Sequence, residues 1–342
     1  MSIATAVPEH RITQDDAADF SRQIFAGRGA DFERLQPVYA NAGIETRYSS
    51  MPMEWLGRDR SWPENSQAYR TGAVDLLERA AWESCERAGL HPRDIDGLVV
   101  ASTTGIATPS LDALLMERLP FRRDIARLPI FGLGCAGGVL GLARTAALSR
   151  AQPEGNWLFL VVELCCLTFR PRDLSKSNII ASALFGDGAA GAVVSCAGDG
   201  PALCRWGEYT WPDSLDVMGW HIEEDGLGVL FSRDIPTLVR NDLCPRVDAF
   251  LSPDGITVRD VDEWLFHPGG MKVLDALEDG LSLGRDALVH SRNVLRDFGN
   301  MSATTVMFVL KAALEAGASG RLLAGALGPG FTAGFLVLEH QP

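Results

Sequence analysis

The 342-residue sequence predicts a layered α/β protein made of two similar halves, and three observations carry that prediction. Short, continuously apolar runs alternate with longer segments whose apolar side chains recur at helical spacing, the order expected of strands covered by helices. Two glycine turns that open apolar helices stand at matching places: GLGCAGGVLGLARTAAL over 132–148 and DFGNMSATTVMFVLKAAL over 297–314. The 35 glycines exceed the usual ~7%, and they gather in clusters rather than in a low-complexity tract.

The elements follow in chain order. A polar N-terminal region is expected to be helical. Residues 71–90, TGAVDLLERAAWESCERAGL, place apolar side chains on one face and end at Gly89, as a surface helix does. The β-branched run Leu98–Thr104 and the apolar run Leu128–Phe131 read as strands, and the glycine turn after them opens a buried helix over 136–148. Trp157–Val162 and Ala189–Cys196 are further strands of a parallel or mixed sheet. Turn chemistry at Gly198-Asp199-Gly200-Pro201 puts the boundary near 197–205, giving halves of 1–200 and 201–342. Residues 201–260, mixed in aromatics and charges, read as an insertion-rich region. Glu263–Phe266 is a strand ending at His267-Pro268-Gly269-Gly270, Met271–Leu283 has helical spacing, and Asn300 opens an apolar helix ending near Gly317. FGDG at 185–188 and GPG at 328–330 read as tight turns between strands, which makes Asp187 a turn residue.

Composition excludes several functions. With 46% apolar residues the chain is not disordered, and a net charge of −13 offers no basic stripe for nucleic acid. Seven cysteines (85, 135, 165, 166, 196, 204 and 244) form an odd set without CxxC or Cys/His ligand spacing, so no metal site is expected. With no leader peptide recognisable, reduced thiols and a cytoplasmic location are the expectation. The longest uncharged stretch, Leu322–Leu338, has 17 residues with four glycines and a proline, short of the ~20 a membrane helix needs.

Three residues stand where chemistry could occur. Cys135 sits at a helix start, where the macrodipole favours a thiolate, and Gly134, Gly137 and Gly138 leave room for a substrate. Inert burial remains the usual fate of a free cysteine. The same turn spells GxGxxG from Gly132 to Gly137, so an NAD-dependent dehydrogenase is an alternative of a different class, although a cysteine has no role in a phosphate turn. His267 leaves a strand at the carboxyl edge of a sheet, where it can hydrogen-bond a ligand, stabilise a thiolate, or simply cap a carbonyl. Asn300 is an N-cap on its own, but if the halves are duplicated it faces Cys135, where an amide N–H stabilises an oxyanion. His290 has no such setting and reads as solvated.

Taken in order, GLGCAGG around Cys135, SALFGDGAAGAVV (182–194), FHPGG around His267, FGNMSATTVMFVL (298–310) and GALGPGFTAGFLVLE (325–339) resemble the type III polyketide synthases, the chalcone synthase family of the thiolase fold. The resemblance implies two α/β halves in a five-layered αβαβα arrangement and a homodimer. It implies Cys135 as the acyl-carrying nucleophile, with His267 and Asn300 completing the catalytic set. Phe185 is implied at the active-site entrance, and Cys165, Thr168, Ser302 and Trp220 in the cavity, with Gly269 and Gly270 beside the substrate. Arg47 is what remains of the family's basic cluster for CoA phosphates; otherwise it is a surface arginine. VELCCLTF (162–169) and MGW (218–220) look like bacterial alkylpyrone and alkylresorcinol synthases, which implies a fatty acyl-CoA starter extended with malonyl-CoA, and neither metal nor nicotinamide. A ketoacyl synthase III-like enzyme with an acyl-carrier-protein partner is the alternative within this chemistry; HPGG and FGDG favour the CoA-dependent family.

Overall fold

The computed structural model describes residues 2–26, 28, 32–198 and 200–341. Thirteen strands are placed among them: β1 (Ser2–Ala6), β2 (His10–Thr13), β3 (Thr46–Ser49), β4 (Gly97–Ala101), β5 (Ala126–Ile130), β6 (Trp157–Leu164), β7 (Asp187–Val194), β8 (Ala202–Thr210), β9 (Met218–Glu223), β10 (Gly226–Phe231), β11 (Glu263–Phe266), β12 (Gly320–Gly328) and β13 (Thr332–His340). One large sheet runs β1-β7-β6-β4-β5 and the other β8-β13-β12-β11. Each has antiparallel pairs on one side and a parallel pair on the other: β6–β4 in the first, β12–β11 in the second. The strand order is therefore the same in both, with β5 as an extra edge strand.

Five layers result. The helix Trp62–Arg87 covers the outer face of the first sheet, where Leu76, Leu77 and Ala80 pack with Leu98, Leu160 and Val162. It starts nine residues before the expected helix, because Ser61 and Glu64 form a capping box and Pro63 suits the first turn. The helices Gly137–Ala151 and Thr305–Glu315 form the middle layer, and Val139, Leu142, Val306 and Leu310 meet Val99 and Val161 on one side and Ala324 and Leu336 on the other. Ile235–Leu251 and Met271–Leu281 close the far side over Leu323 and Phe335. Strand β6, WLFLVVEL, is buried at every position, which its lack of alternation required.

Two expectations need correction. Residues 201–260 are not mainly insertion: β8 is an integral strand of the second sheet, Ile235–Leu251 is a layer helix, and β9–β10 form a separate two-stranded sheet. FGDG is not a strand-to-strand turn either. Phe185 caps the helix Lys176–Leu184, and Asp187 begins β7 fully buried, its carboxylate accepting from Ser50 N and Oγ and Cys166 N. Three donors compensate the buried carboxylate. Gly328–Gly330 does turn β12 into β13.

Candidate active site

The middle-layer helices bring the two glycine turns together. Cys135 lies in a 3-10 turn, Gly134–Ala136, that runs straight into Gly137–Ala151; Asn300 precedes a 3-10 turn, Ser302–Thr304, that runs into Thr305–Glu315. Glycine is required at this junction. Gly134 has φ of 49° and abuts Pro329, and a Cβ at Gly138 would overlap the Ala303 carbonyl. Within the GxGxxG motif, Gly132 takes a φ of 92°, Gly134 makes room for Pro329, and a Cβ at Gly137 would stand 3.2 Å from Ala303 Cβ, so these glycines serve the backbone turn and its packing. The dehydrogenase reading loses its support there.

Cys135, His267, Gly269, Gly270 and Asn300 line one cavity of about 560 Å³. Cys135 Sγ donates to Ser302 Oγ at 3.5 Å. Ser302 has φ of 47°, a conformation unfavourable for a serine, and is held there by its N–H on Asn300 Oδ1 (2.8 Å) and by Thr305 Oγ1 on its carbonyl (2.9 Å). Asn300 Nδ2 donates to Gly269 O at 3.2 Å. The backbone of Asn300 is fixed to the first half by Asn300 N to Leu184 O and Gly186 N to Asn300 O. Neither ring nitrogen of His267 has a hydrogen-bond partner among the described residues, although its backbone N–H is tied to Gly325 O at 2.8 Å.

Burial dominates the electrostatics. It pushes the Cys135 thiol up to about 12; the Ser302 contact opposes this and the Glu163 carboxylate adds to it. It also pushes His267 down to about 3. The helix start does not by itself yield a thiolate. Cys135 therefore rests as a thiol and His267 as a neutral imidazole, both lining the same cavity. Glu163, fully buried on β6, accepts from Thr103 N, Thr104 N and Thr104 Oγ1 and is pushed up to about 7 by desolvation. Thr103 Oγ1 in turn accepts from Gly134 N (3.1 Å), so the carboxyl group supports the turn that carries Cys135. Glu163 was not among the sequence-derived candidates; a lone glutamate inside an apolar strand was the available signal.

Four cations line the cavity, Arg34, Lys176, Arg233 and Lys272, and no carboxylate does among the described residues. Sequence reading did not single them out. Lys176 and Lys272 lie in the first turns of Lys176–Leu184 and Met271–Leu281, and Arg233 lies just before Ile235–Leu251. None of these three helices has an acidic residue in its first turn, whereas Gln14–Phe25 and Trp62–Arg87 do. Cations at helix N-termini are unfavourable to the helix itself.

Other sequence-derived residues fall elsewhere. Phe185, Cys165 and Thr168 line a smaller cavity of about 50 Å³. Trp220 joins them through an edge-on ring contact with Phe185 at 6.3 Å, and Phe231, which does line the main cavity, meets Phe185 at 6.0 Å. Arg47 is neither a CoA ligand nor a surface arginine. It is 2% exposed and its guanidinium is committed to the carbonyls of Ser182, Ala183 and Phe185 and to Gln14 Oε1, closing the end of the helix Lys176–Leu184.

Residues 1–199 match the family model for the N-terminal domain of chalcone and stilbene synthases, and 208–340 the model for their C-terminal domain. The chain is 38% identical to a putative chalcone synthase of Bacillus subtilis (strain 168), covering 100% of this chain and 98% of that protein. It is also 38% identical to a 1,3,6,8-tetrahydroxynaphthalene synthase of Streptomyces peucetius subsp. caesius, over 99% and 92%. The crystal structure of 1,3,6,8-tetrahydroxynaphthalene synthase from Streptomyces coelicolor A3(2), a bacterial type III polyketide synthase, superposes with a TM-score of 0.95 at 28% identity, covering 100% and 99%. The chain thus belongs to the chalcone and stilbene synthase family, the type III polyketide synthases of the thiolase fold, and is an acyl-transferring enzyme of that family.

Proposed function

We propose that the protein loads a fatty acyl-CoA onto Cys135 and extends it with malonyl-CoA, closing the product to an alkylpyrone or alkylresorcinol. The observation that carries this reading is the cavity itself. Its four lining cations, in a chain of net charge −13, suit the phosphates of CoA. Its interior is apolar, with Val38, Ile180, Leu184, Met218, Phe231 and Leu277 among the lining residues, which suits an alkyl chain.

The chemistry divides among three side chains. His267 takes the Cys135 proton as the sulfur attacks the acyl-CoA carbonyl, and returns it to the departing CoA thiolate. Malonyl-CoA then loses carbon dioxide. The enolate oxygen receives hydrogen bonds from His267 and from the Asn300 N–H that is not engaged by Gly269. The enolate carbon attacks the Cys135 thioester, forming the carbon–carbon bond and releasing the Cys135 thiolate. This chemistry calls for no metal or redox cofactor.

A second copy of the chain is inferred to cover β5, which is the edge of the first sheet and solvent-facing at four of its five positions. Leu128, Phe131 and the nearby Ile106 are exposed there, an unpaired apolar edge that a homodimer would protect. Among the described residues no helix is long and apolar enough to cross a membrane, and the seven free cysteines suit a reducing cytoplasm. Incubation with malonyl-CoA and acyl-CoAs from short to long, with mass spectrometry of the products, tests the proposal. Alkylpyrones or alkylresorcinols that carry the long chain support it; small hydroxylated aromatics alone, or no condensed product, overturn it.

A further inference from the structure

The hairpin β9–β10 belongs to neither large sheet. Its register pairs Met218 with Phe231, Trp220 with Val229 and Ile222 with Leu227, so these six side chains share a face. Met218 and Phe231 line the main cavity, while Trp220, Val229 and Phe231 pack on Cys165, Ala181 and Phe185. Phe231 faces the main cavity and Phe185 the smaller one. The hairpin is therefore half of the partition between them.

A two-stranded hairpin is marginal alone, and this one is tied down at its tip. Arg170 Nε donates to Asp225 Oδ1 at 2.6 Å, and Arg170 Nη1 to Asp173 Oδ2 at 3.0 Å. Trp62 Nε1 adds a bond to Glu223 O at 2.9 Å. Arg170 lies under the tip, with its Nη1 only 3.0 Å from where a Cβ on Gly228 would stand. Its backbone is locked in turn by the buried Asn178, which accepts from Arg170 N (3.3 Å) and donates to Arg170 O (2.8 Å). Arg170 also follows directly on Thr168 and Phe169, both walls of the smaller cavity. One side chain thus joins the wall of the smaller cavity at Thr168 and Phe169 to the hairpin that packs on its Cys165, Ala181 and Phe185.

We propose that Arg170 is a positioning residue: its bond to Asp225 latches the β9–β10 hairpin and so fixes the Phe185–Trp220–Phe231 partition that sets the length of acyl chain accepted. The proposal rests on the acyl-CoA reading above. With the latch released, the hairpin moves away from Phe185, the two cavities join, and longer chains are admitted.

Arg170→Ala, Arg170→Lys, Asp225→Ala and the double alanine variant test it, by hydrogen exchange of residues 218–231 and by kcat/KM across acyl-CoA lengths. Arg170→Ala and Asp225→Ala are each expected to raise exchange in the hairpin on the order of fivefold, the scale of losing one partly buried ion pair. The long-to-short ratio of kcat/KM rises with it, while malonyl-CoA decarboxylation stays at the wild-type rate. Arg170→Lys restores part of both effects, and the double variant is no worse than either single one. Unchanged exchange and chain-length ratio in well-folded variants, or additive effects, overturn the latch. If Arg170→Ala does not fold, Asp225→Asn, which removes only the charge at the tip, gives the same two readouts. If the wild type forms no condensed product, the acyl-CoA reading fails, while the exchange arm still decides whether the latch exists.

Discussion

Replacing Glu163 by Gln gives a prediction whose size follows from the site. The carboxyl group is fully buried, and while Oε2 accepts from the Thr103 and Thr104 backbone and Thr104 Oγ1, Oε1 has no partner among the described residues. Burial outweighs these bonds and raises the group from 4.5 to about 7. A carboxyl raised on folding lends relative stability below its unfolded value and loses it as pH climbs through the folded value. A tenfold change in proton affinity is ~1.4 kcal/mol, so the interval from 4.5 to about 7 corresponds to a loss of about 3 kcal/mol for the wild type. Glu163→Gln keeps one acceptor oxygen for the threonines but has no charge to desolvate. Its buried amide N–H groups add a cost of about 1–3 kcal/mol that does not vary with pH. Urea unfolding of both proteins at half-unit steps from pH 4.5 to 8 isolates the pH-dependent part. The stability of the wild type relative to the variant should fall by about 3 kcal/mol over that interval. Parallel profiles, differing by less than about 0.5 kcal/mol across the range, would refute the reasoning.

Three further outcomes follow from the same geometry. Lys272→Ala and Arg233→Ala should each raise KM for acyl-CoA about two- to fivefold with kcat little changed, an effect that shrinks in high salt, as steady-state kinetics at two ionic strengths would show. Asn300→Ala should slow malonyl-CoA decarboxylation on the order of 10²–10³-fold; a thermal melt run in parallel reports the separate cost of releasing Ser302 N from Asn300 Oδ1. Gly138→Ala should destabilise the fold by about 1–3 kcal/mol in urea unfolding, because its Cβ would overlap a backbone carbonyl that cannot step aside.

Local sequence carried much of the fold. Strand β6 is legible because all eight of its side chains are buried and none alternates, and Cys135, His267 and Asn300 because each stands at a glycine-marked strand or helix end. What was not legible depends on distance along the chain. The four cations of the cavity come from positions 34, 176, 233 and 272, and each alone looks like any surface charge. Arg47 was misread because an arginine's partners are not written beside it: its carbonyls belong to a helix end more than 130 residues away. Asp187 was misread for a related reason, since FGDG has turn composition whether or not its carboxylate is enclosed by Ser50 and Cys166.

The central claim is that Cys135 carries the acyl chain while His267 and Asn300 decarboxylate malonyl-CoA. Intact-protein and peptide mass spectrometry after mixing with a long-chain acyl-CoA, alongside release of carbon dioxide from malonyl-CoA, tests both parts in wild-type and Cys135→Ala protein. The account predicts one acyl adduct, on the Cys135 peptide, absent in Cys135→Ala, and carbon dioxide release that survives the substitution. An adduct on Cys165 or any other residue of Cys135→Ala, or decarboxylation that vanishes with the thiol, would contradict it.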